Sequence, residues 1–202
     1  ILIGANILSD IGKKVESKGG KVFILSDSNV APIFANTVID SLLERGYECK
    51  LMVLQAGEQT KNIDSICPIY SSMLEFNLTR KDLVITLGGG VIGDLGGFVA
   101  STYLRGVDFV QVPTSLLAQV DSSVGGKVAV DLPEGKNLVG SFYQPKLVYI
   151  DTAVLEDLPD AYYIDGMAEI IKYGCIKDEK LFELLESINS REEFMRMAEE
   201  II

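Results

Sequence analysis

Short β-branched runs alternate along the chain with stretches whose apolar residues recur at helical spacing. Strands are predicted at Ile1-Leu2-Ile3, residues 21–26, Glu48 to Leu54, Asp82 to Leu87, residues 109–112 and residues 147–150. Residues 31–45 carry apolar pairs at Ile33-Phe34, Val38-Ile39 and Leu42-Leu43, a helical stripe that Gly46 ends. A second helix is predicted over 60–76, with Ile63, Ile66, Met73 and Leu74 inward, and a third after the Gly-rich segment that follows the strand at 82–87. The order strand, helix, strand implies an α/β fold: a mostly parallel, Rossmann-like sheet with helices on both faces. Such sheets bind ligands at the carboxyl ends of their strands. From Thr152 the pattern turns wholly helical, with candidates at 161–173 and 179–202. The expected division is an α/β domain over 1–151 and the beginning of a helical domain over 152–202. No internal repeat or low-complexity linker is present.

Composition narrows the function. Of 202 residues, 48% are apolar, enough for a full core. No run of about 18 or more apolar residues occurs, so no membrane span is expected, and no basic n-region precedes a long apolar run, so no signal peptide is read. The net charge of −11 argues against nucleic acid as a partner. That charge is uneven: residues 1–150 hold 13 basic and 15 acidic side chains, a net of −2, and residues 151–202 hold 5 and 14, a net of −9. The acidic end reads as a solvated helical face. There is no histidine, which excludes Ser-His-Asp and Cys-His catalysis and any complete histidine-based metal site within these residues. Cys49, Cys67 and Cys175 lie far apart without a CxxC, the usage of a reducing, cytoplasmic compartment. The opening on Ile1 without Met suggests a trimmed polypeptide.

Four stretches carry chemistry. Gly88, Gly90 and Gly93 satisfy G-x-G-x-x-G between a strand and a helix, where backbone and helix N-terminus would accept a pyrophosphate. A tight strand–helix turn would leave the same trace, and the acidic residue usual about 20 positions on in Rossmann folds is absent. Gly57-Glu58-Gln59-Thr60-Lys61 ends another strand; Glu58 would hold a ribose hydroxyl and Lys61 offset phosphate charge, or both would dress a helix N-terminus. Lys127 and Lys136, with Asp121 and Asn137, fall in Gly-rich loops between apolar segments; if they converge, the lysines suit an anionic ligand. Glu169 and Lys172 stand three apart on one predicted helix, as an exposed ion pair or as a buried, functional one.

Together these stretches resemble the 3-dehydroquinate synthase family. The matching motifs are Gly-Glu-Gln-x-Lys at 57–61, Gly-Gly-Gly-Val-Ile-Gly-Asp at 88–94, the run from Gln119 to Lys127, Gly-Lys-Asn at 135–137, Phe-Tyr-Gln-Pro at 142–145 and Ala-Glu-Ile-Ile-Lys-Tyr-Gly at 168–174. They stand in family order and cover essentially the whole chain. The resemblance implies a dehydroquinate synthase-like fold and NAD lying across the sheet. Asp27 and Asn29 would sit near its adenosine end. Ala56, Gly57, Glu58, Gln59, Thr60 and Lys61, with Gly90, Val91, Ile92, Gly93 and Asp94, would hold ribose and pyrophosphate. Thr114, Ser115, Lys127 and Lys136 would complete the cradle. Arg105, Asp121, Lys127, Asn137 and Lys172 would face a sugar acid phosphate, and Glu169 would be one ligand of a zinc or cobalt ion. The family's chemistry combines transient NAD oxidation, phosphate elimination, reduction and aldol ring closure, usually in a homodimer. Other sugar phosphate cyclases share this framework, and a pure nucleotide-binding module is the rival from outside enzymology.

Three departures from the family follow. Its two histidine metal ligands would lie past residue 202, so the helical part is expected to be incomplete and these residues alone inactive. Ala161 and Tyr162 stand where the family often has Arg-Glu. By the same resemblance the start of the first β-hairpin is expected to be missing.

Overall fold

In the computed structural model, which describes residues 1–202, the chain forms eight strands. They are β1 (Leu2–Gly4), β2 (Lys21–Asp27), β3 (Glu48–Leu54), β4 (Leu83–Gly88), β5 (Asp108–Pro113), β6 (Lys127–Leu132), β7 (Gly135–Phe142) and β8 (Leu147–Asp151). The helices are α1 (Ala31–Leu43), α2 (Ile66–Glu75), α3 (Gly90–Thr102), α4 (Asp160–Ile176), α5 (Glu179–Ser187) and α6 (Arg191–Ile201). Six strands make one sheet in the order β1-β8-β5-β4-β2-β3, and every pairing is parallel. No helix is long and apolar enough to cross a membrane.

The apolar runs behave as doubly covered strands should. Phe23 and Leu25 of β2 face a cluster with α2 and α3, whereas Val22 and Ile24 face a cluster with α1. Strand β4 is buried along its whole length. Each fully buried side chain of this size contributes roughly 1.5–3 kcal/mol, so the six strands are held chiefly by what packs on their two faces. Helix α1 stops where Gly46 takes a φ of 81° and its N–H donates to Leu43 O. The chain leaves β2 for β3 at one edge and then crosses back to β4 on the other side of β2. The winding therefore reverses between β2 and β4, which opens a crevice at the carboxyl ends of these strands.

Three sequence expectations are corrected. Residues 127–142 are not loops: β6 and β7 form an antiparallel hairpin whose Val128, Val130 and Val139 pack with α3 in the larger core cluster. The helix predicted over 60–76 starts only at Ile66, after two 3-10 turns. Its first residues are drawn into extended backbone because Lys61 O accepts the N–H of Asp131 and Asn62 bridges Asp131 in parallel. The helix predicted over 179–202 is split into α5 and α6 at residues 188–190. There Ser190 Oγ accepts from Glu193 N at 3.2 Å and Glu193 Oε2 accepts from Asn189 N at 2.7 Å. Near the N-terminus, Leu2–Gly4 form β1, which pairs in parallel with β8.

Helices α4 and α6 build a third apolar cluster with Leu116 and Leu155. Helix α4 crosses the segment after β5 at Gly166. A Cβ there would meet Leu116 Cβ and Cγ at 2.5 Å and Leu117 N at 2.7 Å, so only glycine lets the two backbones approach this closely.

Candidate functional site

The crevice at the winding reversal is a cleft of about 700 Å³. Its floor comes from strand ends. Asp27 closes β2, Ala56, Gly57 and Glu58 follow β3, Gly89 and Gly90 follow β4, and Thr114 and Ser115 follow β5. Asp27 Oδ1 accepts from the N–H of Asn29 and of Val30 at 2.8 and 3.0 Å, which turns the chain so that Asn29 also lines the cleft. The N-terminal end of α3 opens into it through Gly90, Val91 and Asp94. The first N–H groups of a helix have no partner within it and carry its positive end, so the site suits an anion.

A second cavity of about 480 Å³ lies against the exposed face of the β6–β7 hairpin. Asp121, Lys127 and Asn137 line it, together with the apolar Leu138 and Phe142. Phe142 is 86% exposed, so this face of the hairpin is bare within the chain. Asp121 accepts from Tyr173 Oη at 3.2 Å, which ties the cavity to α4. Burial, followed by the negative charge of Asp121, holds the Tyr173 phenol above its ordinary range.

Asp94 and Ser122 line both cavities. At this shared wall sits Lys61, whose side chain is only 6% exposed. Its ammonium lies 3.3 Å from Asp94 Oδ2, 3.4 Å from Glu58 Oε1 and 3.7 Å from Asp131 Oδ1, and it donates to Asn137 Oδ1 at 2.8 Å. One cation thus serves three carboxylates. Burial disfavours the charge on Lys61, but Asp94, Glu58 and Asp131 together outweigh it and its pKa is raised. Asp94 fares differently. Burial dominates, Lys61 offsets it only in part, and the neighbouring Glu58 and Asp131 repel, so its carboxyl is pushed up to about 6.

Not every residue expected at the site lines a cavity. Gln59 donates to Ala56 O and Thr60 to Gln55 O, so both fold the loop after β3. Ile92 belongs to the core, and Gly93 packs where a Cβ would meet Gln111 Oε1 at 2.9 Å. Lys136 is exposed and pairs with Glu58 at 3.1 Å, joining the hairpin to the cleft rim. Arg105 follows the far end of α3, roughly 20 Å along the helix axis from the cleft, in a loop where Leu104 and Arg105 both have positive φ. Glu169 and Lys172 form a half-exposed ion pair on α4, and the Glu169 contact raises the Lys172 pKa. No three His, Cys, Asp or Glu side chains converge to hold a metal ion.

The structure adds residues that motif reading did not single out. Ser122 belongs to both cavities, and Gly89 to the cleft. A whole wall of the cleft, with Val154, Asp157, Leu158, Pro159, Tyr162 and Asp165, comes from the turn after β8 and the start of α4. Of these, Tyr162 is marked in the sequence only as a departure from the family's Arg-Glu; for the others the one available signal is position, past the carboxyl end of a strand.

Residues 51–165 match the family model described as 3-dehydroquinate synthase N-terminal, which is more than half of the chain. The chain is 57% identical over 204 residues to the 3-dehydroquinate synthase of Clostridium beijerinckii, covering 100% of this chain and 58% of that protein. It is 50% identical over 191 residues to the 3-dehydroquinate synthase of Prochlorococcus marinus, covering 93% of this chain and 52% of that one. The chain thus spans little more than half the length of these relatives. Among solved structures it is similar to 2-epi-5-epi-valiolone synthase from Streptomyces hygroscopicus with NAD+ and Zn2+ bound. There the TM-score is 0.88 at 27% identity, over 99% of this chain and 56% of that one. It is also similar to 2-deoxy-scyllo-inosose synthase complexed with carbaglucose-6-phosphate, NAD+ and Co2+, with a TM-score of 0.78 at 27% identity over 84% of this chain and 46% of that one.

Proposed function

The chain belongs to the 3-dehydroquinate synthase family, and from that premise we propose that it forms the NAD-binding part of such an enzyme. The proposed reaction converts 3-deoxy-D-arabino-heptulosonate 7-phosphate to 3-dehydroquinate and phosphate, the second step of the shikimate pathway. The observation that carries the reading is the shared wall. A cleft suited to a dinucleotide and a pocket with Lys127, Asp121 and Asn137 meet at Asp94 and the buried Lys61.

The cleft fits NAD by its own geometry. Gly89 and Gly90 leave the mouth of α3 open: a Cβ on Gly90 would lie 3.0 Å from Ser122 Oγ. Pyrophosphate would rest on the N-terminal N–H groups of α3, with the adenosine end toward Asp27 and Asn29. When bound, NAD supplies the transient oxidation of a secondary alcohol that lets phosphate leave by elimination, followed by the return reduction. The chain's own residues position and stabilise. Lys127, exposed in the hairpin pocket, would meet the substrate phosphate as a point charge. Asp121, oriented by Tyr173, would accept from a substrate hydroxyl. Lys172 would add positive charge from α4. Glu169 would be one ligand of a zinc or cobalt ion; a single carboxylate held by Lys172 makes no metal site alone, and no group of three potential ligands converges in this structure.

The helical part is proposed to begin at Thr152, supported by the separate apolar cluster that α4 and α6 form. A cytoplasmic homodimer is proposed on the family resemblance, and light scattering tests it. The test of function is to incubate the native full-length polypeptide with NAD, a divalent metal and 3-deoxy-D-arabino-heptulosonate 7-phosphate. Phosphate and 3-dehydroquinate should form in equal amounts. Faster turnover of a hexose 6-phosphate would instead mark a cyclase of the scyllo-inosose kind, and no turnover of either would refute both.

A further inference from the structure

We propose that Asp131 is a positioning residue, which holds Asn137 so that its side-chain amide donates into the hairpin pocket. The proposal rests on the cyclase reading above and adds to it a residue outside both cavities. The hairpin is irregular at one place. Val130 pairs with Val139 and Leu132 with Gly135, so the single residue Asp131 stands opposite three, Lys136, Asn137 and Leu138. Bulges of this kind re-aim side chains and are common beside active sites. Asn137 sits in the middle of the excess with a φ of 56°, a left-handed conformation that asparagine tolerates better than other non-glycine residues and that turns its side chain out of the strand's alternation.

Asp131 holds that conformation in place. Its own N–H is turned away from β7 and donates to Lys61 O at 2.8 Å. Its carboxylate takes the place of the lost ladder bond, Oδ1 accepting the Asn137 N–H at 2.7 Å. The same Oδ1 lies 3.7 Å from the Lys61 ammonium. Lys61 in turn donates to Asn137 Oδ1 at 2.8 Å. An ammonium has donors only, so the amide of Asn137 must turn its oxygen to Lys61 and its NH2 away. Asn137 lines the hairpin pocket, where that NH2 is left to meet a substrate oxygen. Backbone and side chain of Asn137 are thus both fixed by the Asp131–Lys61 pair.

The experiment compares Asp131→Ala and Asp131→Asn in the native full-length enzyme. Asp131→Ala should raise KM for 3-deoxy-D-arabino-heptulosonate 7-phosphate about tenfold, the scale of one misplaced hydrogen bond, with KM for NAD changed by less than about twofold. Asp131→Asn keeps an acceptor for the Asn137 N–H and should restore most of the loss. In an Asn137→Gly background, where glycine takes the left-handed conformation freely, Asp131→Ala should have no further effect on KM. An unchanged KM in Asp131→Ala, no restoration by Asn, or a full effect in the glycine background would each overturn the role. Should the wild type turn over no substrate, the cyclase reading falls separately. Hydrogen exchange at the Asn137 amide then decides: protection lost in Asp131→Ala supports the role, and equal exchange in both proteins refutes it.

Discussion

Asp94→Asn isolates the energetic cost of burying a carboxylate whose cation, Lys61, is shared with its neighbours. Asp94 is mostly buried at the wall between the cavities, with 18% of its side chain exposed, and its carboxyl is pushed up to about 6 from an ordinary 3.8. The folded protein therefore holds the proton more tightly than the unfolded chain. Stability from this group is fully present at low pH and is lost as pH rises from about 4 through about 6. A shift from 3.8 to about 6 corresponds to about 3 kcal/mol at 1.36 kcal/mol per pH unit. Asparagine is nearly isosteric and does not titrate. Carboxylates outside this cluster affect both proteins alike, so the difference in unfolding free energy, wild type minus variant, should fall by about 2 kcal/mol between pH 4 and pH 6.5, most of the full amplitude, and level off above. Urea denaturation at half-unit pH intervals, followed by circular dichroism, measures that difference. A curve flat to within about 0.5 kcal/mol across the range would refute the reasoning, because Lys61 would then be compensating Asp94 in full.

Lys61→Met should be the converse, leaving Glu58, Asp94 and Asp131 without their common partner. A loss of about 3 kcal/mol is expected, read by calorimetry as a Tm lowered by roughly 6–12 °C, and a change under about 2 °C would contradict it. Lys127→Ala, at an exposed residue of the hairpin pocket, should leave Tm within about 2 °C. In the full-length enzyme it should lower kcat/KM by about a hundredfold or more, and unchanged turnover would remove Lys127 from the site. Glu169→Gln should lower the metal content of the purified full-length protein, measured by elemental analysis, and leave NAD affinity by calorimetric titration largely intact. Full metal occupancy would make Glu169 only the structural partner of Lys172.

The parallel sheet was legible because strands covered on both faces must be apolar almost throughout, and residues 21–26 and 82–87 admit little else. The hairpin was not, for a physical reason. Its inward Val128, Val130 and Val139 alternate with Lys127, Asp131, Asn137 and several glycines, and those polar residues read as loop chemistry. The late start of α2 depends on Asp131, seventy residues away from Lys61, donating to the Lys61 carbonyl, and no local pattern carries a contact of that range. The cleft residues that lie in motifs were legible because glycines and charges gathered just past a strand end stand out from the apolar runs around them. Val154 and Leu158 help make the opposite wall by shape alone, and their residue types announce nothing.

The glycine at 166 sets a tolerance for the whole cleft. Helix α4 rests backbone to backbone on the segment at Leu116 and Leu117, with no room for even one methyl group. An ordinary carbon contact is roughly 3.5–4.0 Å, so an alanine whose Cβ starts 2.5 Å from Leu116 would lift the helix by about 1 Å or more. Tyr162 and Asp165, within about 6 Å along the same helix, would ride with it and widen the cleft. Misplacements of about 1 Å are enough to slow positioned chemistry by about a hundredfold. A residue that touches neither cavity is thus the gauge block of the machine, and drift at this position reaches the chemistry as directly as drift among the lining residues themselves.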